Sequence, residues 1–179
     1  MNTALTQVAF VTGASSGMGK ETALRLLDKG FIVYVAARRL ELMTDLQERG
    51  AIAIQMDISK EEQIVAAIQK VEAAHGGIDV LINNAGFGMY GSMEESSIAD
   101  ARYQFEVNLF GLARLTQLAL PYMRQKGAGT IVNISSMGGK MYTPLGSWYH
   151  ATKHALEGWS DCLRIELASF GIKVIIIEP

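Results

Sequence analysis

Val8-Ala9-Phe10-Val11-Thr12-Gly13-Ala14-Ser15-Ser16-Gly17-Met18-Gly19 opens on a short apolar run and breaks into a glycine-rich turn. Glu21 to Leu27 then reads as a helix, with Ala23, Leu24 and Leu27 at core spacing and Gly30 as its stop signal. Strand, glycine turn and helix start are the parts that hold a pyrophosphate. Glycines let the backbone close on the ligand, and the first helical turn presents free N–H groups and a partial positive charge. The spacing is Gly-x-x-x-Gly-x-Gly. It is not the Gly-x-Gly-x-x-Gly of the common fingerprint, nor a P-loop, because no Gly-Lys-Ser/Thr closes it. A Gly/Ser-rich tight turn with no ligand has the same local appearance, so the rest of the chain must decide.

Outward from this stretch, strand-like runs alternate with helical periodicity. Strands are expected at Val8 to Val11, Phe31 to Ala37, Ala51 to Gln55, Val80 to Ile82, Thr130 to Ile134 and Ile172 to Ile177. Further helices are expected over Leu40 to Arg49, Lys60 to Ala74, Ile98 to Gln125 and Ser147 to Phe170, with a loop of glycine and small residues from Asn83 to Gly91. The alternation predicts an α/β fold, a doubly wound parallel sheet with helices on both faces and right-handed crossovers. No repeat, low-complexity segment or linker divides the chain, so 1–179 is read as one domain.

Composition sets limits. Of the 179 residues 49% are hydrophobic and 19% charged, with net charge −2, a globular balance that offers no basic surface to nucleic acid or an anionic membrane. Met1 to Phe10 lacks the basic flank and long apolar run of a signal peptide, and Val174 to Ile177 is too short to span a bilayer. The one cysteine, Cys162, cannot form an internal disulfide, which points to the cytoplasm. Its helical neighbours suggest a packed core thiol rather than a reactive one.

The second strand ends Val35-Ala36-Ala37-Arg38-Arg39, and no carboxylate appears until Glu41. An acidic residue near this point would accept from a ribose 2′-hydroxyl, whereas a guanidinium would pair with a 2′-phosphate. The two arginines therefore favour NADP over NAD. A solvated arginine pair is the alternative, although positive charge at a helix start is mildly unfavourable.

Tyr149 and Lys153 stand four residues apart at the start of a helix and share one face. An ammonium beside a phenol stabilises the phenolate, and each unit by which the tyrosine pKa falls corresponds to about 1.4 kcal/mol. A phenol tuned in this way can protonate a developing alkoxide or take a proton from an alcohol. By itself the pair is a common coincidence of helix surfaces.

Thr12-Gly13-x-x-x-Gly17-x-Gly19, Asn83-Asn84-Ala85-Gly86, Asn108, Ser135-Ser136 and Tyr149-x-x-x-Lys153 occur together and in order over nearly the whole chain. In this the sequence resembles the short-chain dehydrogenase/reductase (SDR) family, with its Rossmann-like fold. The resemblance implies an oxidoreductase that transfers hydride between NADP(H) and a carbonyl or secondary alcohol. Tyr149 would be the acid/base group, and Lys153 would bond the nicotinamide ribose and lower the tyrosine pKa. Ser136, thirteen residues before Tyr149, would bond the substrate oxygen, and Asn108 would hold a water of the proton relay. Cofactor contacts would come from Gly13, Ser15, Ser16, Gly17, Met18, Gly19, Arg38, Arg39, Asp57, Ile58, Asn84, Ala85, Gly86, Tyr149, Lys153 and Pro179. Asp57 would accept from the adenine amino group, with helix capping as its other reading. Ala37-Arg38 resembles the NADP-preferring branch, although Ser16 stands where some members carry a basic residue. Ser147 to Leu167 faintly resembles hydroxysteroid and retinol dehydrogenases.

The family pattern continues past the position of Pro179 with a nicotinamide-contacting turn, a lid and a last strand, which are expected to be lacking here. A dimer or tetramer through the two long helices would use Leu112, Leu115, Leu118, Trp159 or Leu163, unless these are core. Met137, Tyr142 and Trp148 flank the catalytic residues and suit an apolar substrate, although Trp148 suits helix packing equally. His150 and His154 have zinc-binding spacing, but Lys153 lies between them and no His-Glu-x-x-His is present, so no metal is expected. Asn133-Ile134-Ser135 reads as a chance glycosylation sequon. Two other functions fit the fold: a catalytically silent NADP-binding sensor or regulator, and an epimerase or dehydratase.

Overall fold

Six runs rich in β-branched and aliphatic residues form one parallel sheet in the computed structural model, which describes residues 6–179. Residues 1–5, part of the segment read as no signal peptide and of the 1–179 domain, lie outside the described residues. The strands are β1 Val8–Thr12, β2 Ile32–Ala37, β3 Ile52–Gln55, β4 Val80–Asn83, β5 Gly129–Ile134 and β6 Ile172–Ile177. Their spatial order is β3-β2-β1-β4-β5-β6, the Rossmann-like doubly wound arrangement expected from the alternation. Register runs Val8↔Ile32 to Thr12↔Ala36 on one side of β1 and Ala9↔Val80 to Val11↔Ile82 on the other. Because every pair is parallel, all strand C-termini emerge at one edge, where the order reverses between β1 and β4.

Alternation along the strands splits the core. Phe10, Tyr34 and Ala36 face one way, against α3 (Glu61–His75), α5 (Gly111–Lys126) and α6 (Ser147–Leu167). Val11, Val33 and Val35 face α1 (Gly17–Asp28) and α2 (Thr44–Glu48). On the α1 side of β6, Ile175 and Ile177 stay 41% and 43% exposed, beside a cavity of about 600 Å³ lined by Val132, Ile134 and Met18.

Several elements differ from expectation. Helix α1 begins at Gly17 rather than Glu21, so the last glycines of the turn form its first helical turn. The predicted helix over Leu40 to Arg49 is a 3₁₀ turn, Leu40–Met43, followed by the short α2, with the Thr44 hydroxyl donating to the Glu41 carbonyl at 3.0 Å at the junction. The long helix from Ile98 contains α4 (Ile98–Phe105), a π turn over Glu106–Phe110 and then α5. Ser97 caps α4 by accepting the Asp100 N–H at 3.0 Å.

Cys162 is exposed, not a core thiol. The buried stripe of α6 runs Leu156, Ser160, Leu163 and Leu167, and Cys162 falls one residue, about 100° of helix rotation, off it. Leu112, Leu115 and Leu163 are core residues, which takes them out of any oligomer contact, whereas Leu118 and Trp159 are partly buried against the core cluster. No helix among the described residues is long and apolar enough to cross a membrane.

Asp79 is a buried carboxylate at the start of β4. It accepts the Val8 N–H at 2.8 Å and pairs with Lys126 at the end of α5, whose pKa it raises through that bond. Asp79→Asn is expected to cost about 2 kcal/mol in urea unfolding, the loss of a charged acceptor whose lysine partner still reaches solvent.

Candidate active site

The turn after β1 is shaped by close backbone approach. Gly13 has φ +66°, and a Cβ there would lie 2.9 Å from the Ala85 Cα. A Cβ at Gly19 would lie 2.4 Å from the Asn84 Nδ2 and 2.6 Å from the Gly13 carbonyl oxygen. Asn84 braces this turn by donating from Nδ2 to the carbonyls of Thr12 (2.9 Å) and Gly13 (3.2 Å). Thr12 completes the join: its hydroxyl accepts the N–H groups of Asn84 and Ala85, both at 3.0 Å, and donates to the Ile82 carbonyl. The two central strands are thus tied at the point where the sheet order reverses.

Beside them opens a cavity of about 500 Å³. Of the predicted cofactor residues, Gly13, Ser15, Ser16, Arg38, Arg39, Asp57, Ile58, Ala85 and Gly86 line it. Gly17 and Met18 line the second cavity instead, and Gly19 and Asn84 act from behind the turn. Thr12, which heads the glycine motif, also lines the first cavity, as do Met56, Phe87, Tyr103 and Val107, which were not singled out as site residues from the sequence. Tyr103 and Val107 stand four apart on one helix, the only sequence sign of their common face. The Asp57 carboxylate accepts from both the Ser59 N–H (3.0 Å) and the Ser59 hydroxyl (2.8 Å) through Oδ1, so the turn role holds while Asp57 still lines the cavity.

The second group of residues gathers along the same sheet edge. The Tyr149 ring lies between two glycines: a Cβ at Gly88 would be 3.3 Å from it and one at Gly138 3.0 Å. Side chains at either position would displace the ring. The Lys153 Nζ is 6.0 Å from the Tyr149 ring centroid and donates to the Ile134 carbonyl at 2.9 Å. Burial pushes its pKa down to about 8, against the Glu157 carboxylate one helical turn further on, which acts to raise it. At pH 7 the ammonium therefore stays charged. Asn108, inside the π turn, accepts the Phe87 N–H at 3.0 Å through Oδ1 and donates to the Phe87 carbonyl (2.9 Å) and the Thr152 hydroxyl (3.1 Å). It clamps the β4–α4 loop to α6. A Cβ at Gly86 would lie 3.2 Å from the Asn108 Oδ1 and 3.8 Å from the Lys153 Nζ, which places both polar ends beside that glycine.

Ser136 begins a 3₁₀ turn, accepting the Gly138 N–H at 3.1 Å and donating to the Pro179 carbonyl at 3.5 Å. Pro179 also accepts the Met137 N–H at 2.9 Å, so it meets the Ser136 turn and not the cavity. Ser135 is 3% exposed, which turns its hydroxyl away from solvent. Lys140 secures the turn from its far end, pairing with the buried Glu157 at 3.0 Å and with Glu178 at 3.6 Å; the Glu157 bond raises the Lys140 pKa.

The two histidines have other partners. The Thr143 N–H donates to the His150 Nε2 at 3.1 Å, so Nδ1 carries the proton that reaches the Gly138 carbonyl at 2.8 Å. His154 Nδ1 donates to the His150 carbonyl, and its ring stacks on Tyr142 at 5.0 Å. Trp148 packs edge-on to Phe105 at 6.5 Å, a contact between α6 and α4 that matches its helix-packing reading. Asn133, of the sequon, is fully buried and donates to the Ser160 hydroxyl at 2.9 Å.

A parallel 3-2-1-4-5-6 sheet, a glycine turn beside a cavity at its reversal point, and a Tyr-x-x-x-Lys pair on the neighbouring edge place the chain in the Rossmann-like, doubly wound α/β class. Comparison with known proteins agrees. The short chain dehydrogenase family matches residues 7–179, and the chain belongs to it. It is 39% identical over 172 residues to the "Probable short-chain type dehydrogenase/reductase VdlC" of Helicobacter pylori, covering 96% of this chain and 64% of that protein. It is 37% identical over 174 residues to a 3-ketodihydrosphingosine reductase of Bacteroides thetaiotaomicron, covering 97% and 63%. The crystal structure of a short-chain dehydrogenase from Streptomyces avermitilis superposes with a TM-score of 0.95 at 45% identity, covering 97% of this chain and 65% of that one. The chain thus spans slightly under two thirds of the length of these relatives.

Proposed function

We propose that this chain carries the NADP(H)-binding and acid/base core of an oxidoreductase acting on a carbonyl or secondary alcohol. The observation that carries the reading is the Tyr149 ring held between Gly88 and Gly138 with the Lys153 ammonium buried beside it. In reduction, Tyr149 gives its phenolic proton to the substrate oxygen, and in oxidation it takes one back. Lys153, charged at pH 7, stabilises the phenolate left behind. Ser136 orients the substrate oxygen, and Asn108 holds the loop carrying Phe87 against α6. Ser15, Ser16, Arg38 and Asp57 along the first cavity would hold a nicotinamide nucleotide, which would supply or accept the hydride. A silent sensor would have no use for the tyrosine, serine and lysine together, and no observation favours it.

The lining of the cavity supports such a nucleotide: Ser15 and Ser16 line it at the start of α1, whose free N–H groups suit a pyrophosphate. Arg38 and Arg39 at its rim support NADP over NAD, since a guanidinium matches the extra phosphate. Exposed Tyr90, Met93, Met137 and Tyr142 near Tyr149 support an apolar substrate. A homo-oligomer, which we also propose, would draw on the exposed Ile98 and Phe110 beside Trp148. The cytoplasmic placement rests on the single cysteine.

Nicotinamide fluorescence tests the nucleotide reading. Arg38→Ala is expected to weaken NADPH binding about 10- to 100-fold, the equivalent of one charge-assisted hydrogen-bond set, and to leave NADH within about twofold. Equal losses for both nucleotides would remove the phosphate role from Arg38.

A further inference from the structure

The wall of the cavity opposite the glycine turn includes Tyr103, contributed by α4, an element that carries none of the sequence motifs. Its hydroxyl accepts a hydrogen bond from Arg38 Nη1 at 3.4 Å across 65 residues of sequence. Its ring packs against Phe87 with centroids 5.6 Å apart, and it remains 40% exposed. Arg38 is anchored at the other end too: its carbonyl accepts from the Gln55 side-chain amide at 3.1 Å. A long, exposed arginine ordinarily samples many rotamers, and fixing one costs conformational entropy. Here the backbone end and the guanidinium end are both tethered at the cavity rim.

We propose that Tyr103 is a positioning residue for Arg38, and through it a determinant of discrimination between nucleotides with and without a 2′-phosphate. This rests on the NADP(H) reading of the same cavity. Three features carry it. By accepting from Nη1, the phenolic hydroxyl holds the Arg38 guanidinium at the cavity rim and leaves its other N–H groups free for a phosphate. The Tyr103 ring packs against Phe87, so the range of positions its hydroxyl can offer Arg38 is restricted. The bond is solvent-exposed and long, so its own contribution to stability is small; its effect lies in preorganising the arginine before the ligand arrives. Tyr103→Phe keeps the ring, the Phe87 contact and the cavity wall, and removes only the hydroxyl.

The experiment is calorimetric titration of the protein with two probes that differ by one phosphate, 2′,5′-ADP and 5′-ADP. The wild type, Tyr103→Phe, Arg38→Ala and the double variant are compared. The wild type is expected to bind 2′,5′-ADP at least about tenfold tighter, the scale of one added charge-assisted contact set. Tyr103→Phe should cut that ratio about three- to fivefold with 5′-ADP binding unchanged, and should have no effect once Arg38 is alanine, since coupled partners are not additive. If Tyr103→Phe leaves a high wild-type ratio untouched, or weakens both probes alike, the positioning role is overturned while the NADP(H) reading stands. If the wild type does not distinguish the probes, the NADP(H) reading fails and this inference fails with it.

Discussion

Tyr149→Phe is expected to lower ketone-dependent oxidation of NADPH about 10³-fold, within the range for losing a positioned general acid, while nucleotide binding stays within about twofold. The ring would still fill the slot between Gly88 and Gly138, so only the proton donor is lost. Steady-state assays over a panel of aliphatic and aromatic ketones, alongside fluorescence titration, separate the two effects. A variant retaining more than about a tenth of the activity would assign the proton to another group. The wild-type pH profile should carry a second signature. Lys153 is a cation below about 8 and neutral above it, because burial lowers its pKa from 10.5. As pH rises through about 8 the charge that stabilises the phenolate disappears, so kcat/KM should fall on the alkaline side. Lys153→Arg, charged throughout the range, should lose that limb whatever its absolute rate.

The sheet was legible in the sequence because both its signals are local. Runs such as Ile32–Ala37 contain too many β-branched residues for anything but a strand covered on both faces, and Gly30 marks the helix stop before it. The site residues were legible for a different reason, as polar types where periodicity demands apolar ones. Asn108 lies between Val107 and Leu109, and the structure gives its amide three hydrogen bonds, two to Phe87 and one to Thr152.

Three features were not legible, each for a physical reason. The π turn around Asn108 has no composition of its own, because a single i→i+5 turn costs little and is selected by what its side chains must reach. Cys162 was misplaced because it adjoins Leu163 in sequence, whereas burial on a helix follows angular position. Tyr103 meets Arg38 only because the crossover from β4 brings α4 past the end of β2, a contact that no local pattern encodes. The glycine turn shows the converse. Its motif was read as phosphate binding, yet Gly19 faces Asn84 and the Gly13 carbonyl, so this glycine serves the packing of turn on loop.

Gly111 extends that lesson to a residue outside every motif. It is the first residue of α5, directly after the π turn, and a Cβ there would lie 2.1 Å from the Ile58 carbonyl oxygen and 2.9 Å from the Ile58 Cγ1. The obstacle is backbone, in the turn that follows β3 and carries Asp57 and Ile58 along the cavity. A rotamer change cannot relieve it. Either α5 moves, dragging the π turn and the Asn108 clamp, or the Asp57–Ile58 turn moves away from the cavity. Gly111→Ala is therefore expected to cost about 3 kcal/mol in urea unfolding, at the upper end of ordinary overpacking, despite the better helix propensity of alanine. Nucleotide affinity should fall about tenfold, because the displaced turn lines the first cavity. Ile58→Ala in the same chain would remove the Cγ1 contact but not the carbonyl, so it should restore little of either loss. Full recovery in that double variant would show that the side chain, not the backbone, sets how closely α5 approaches the nucleotide cavity.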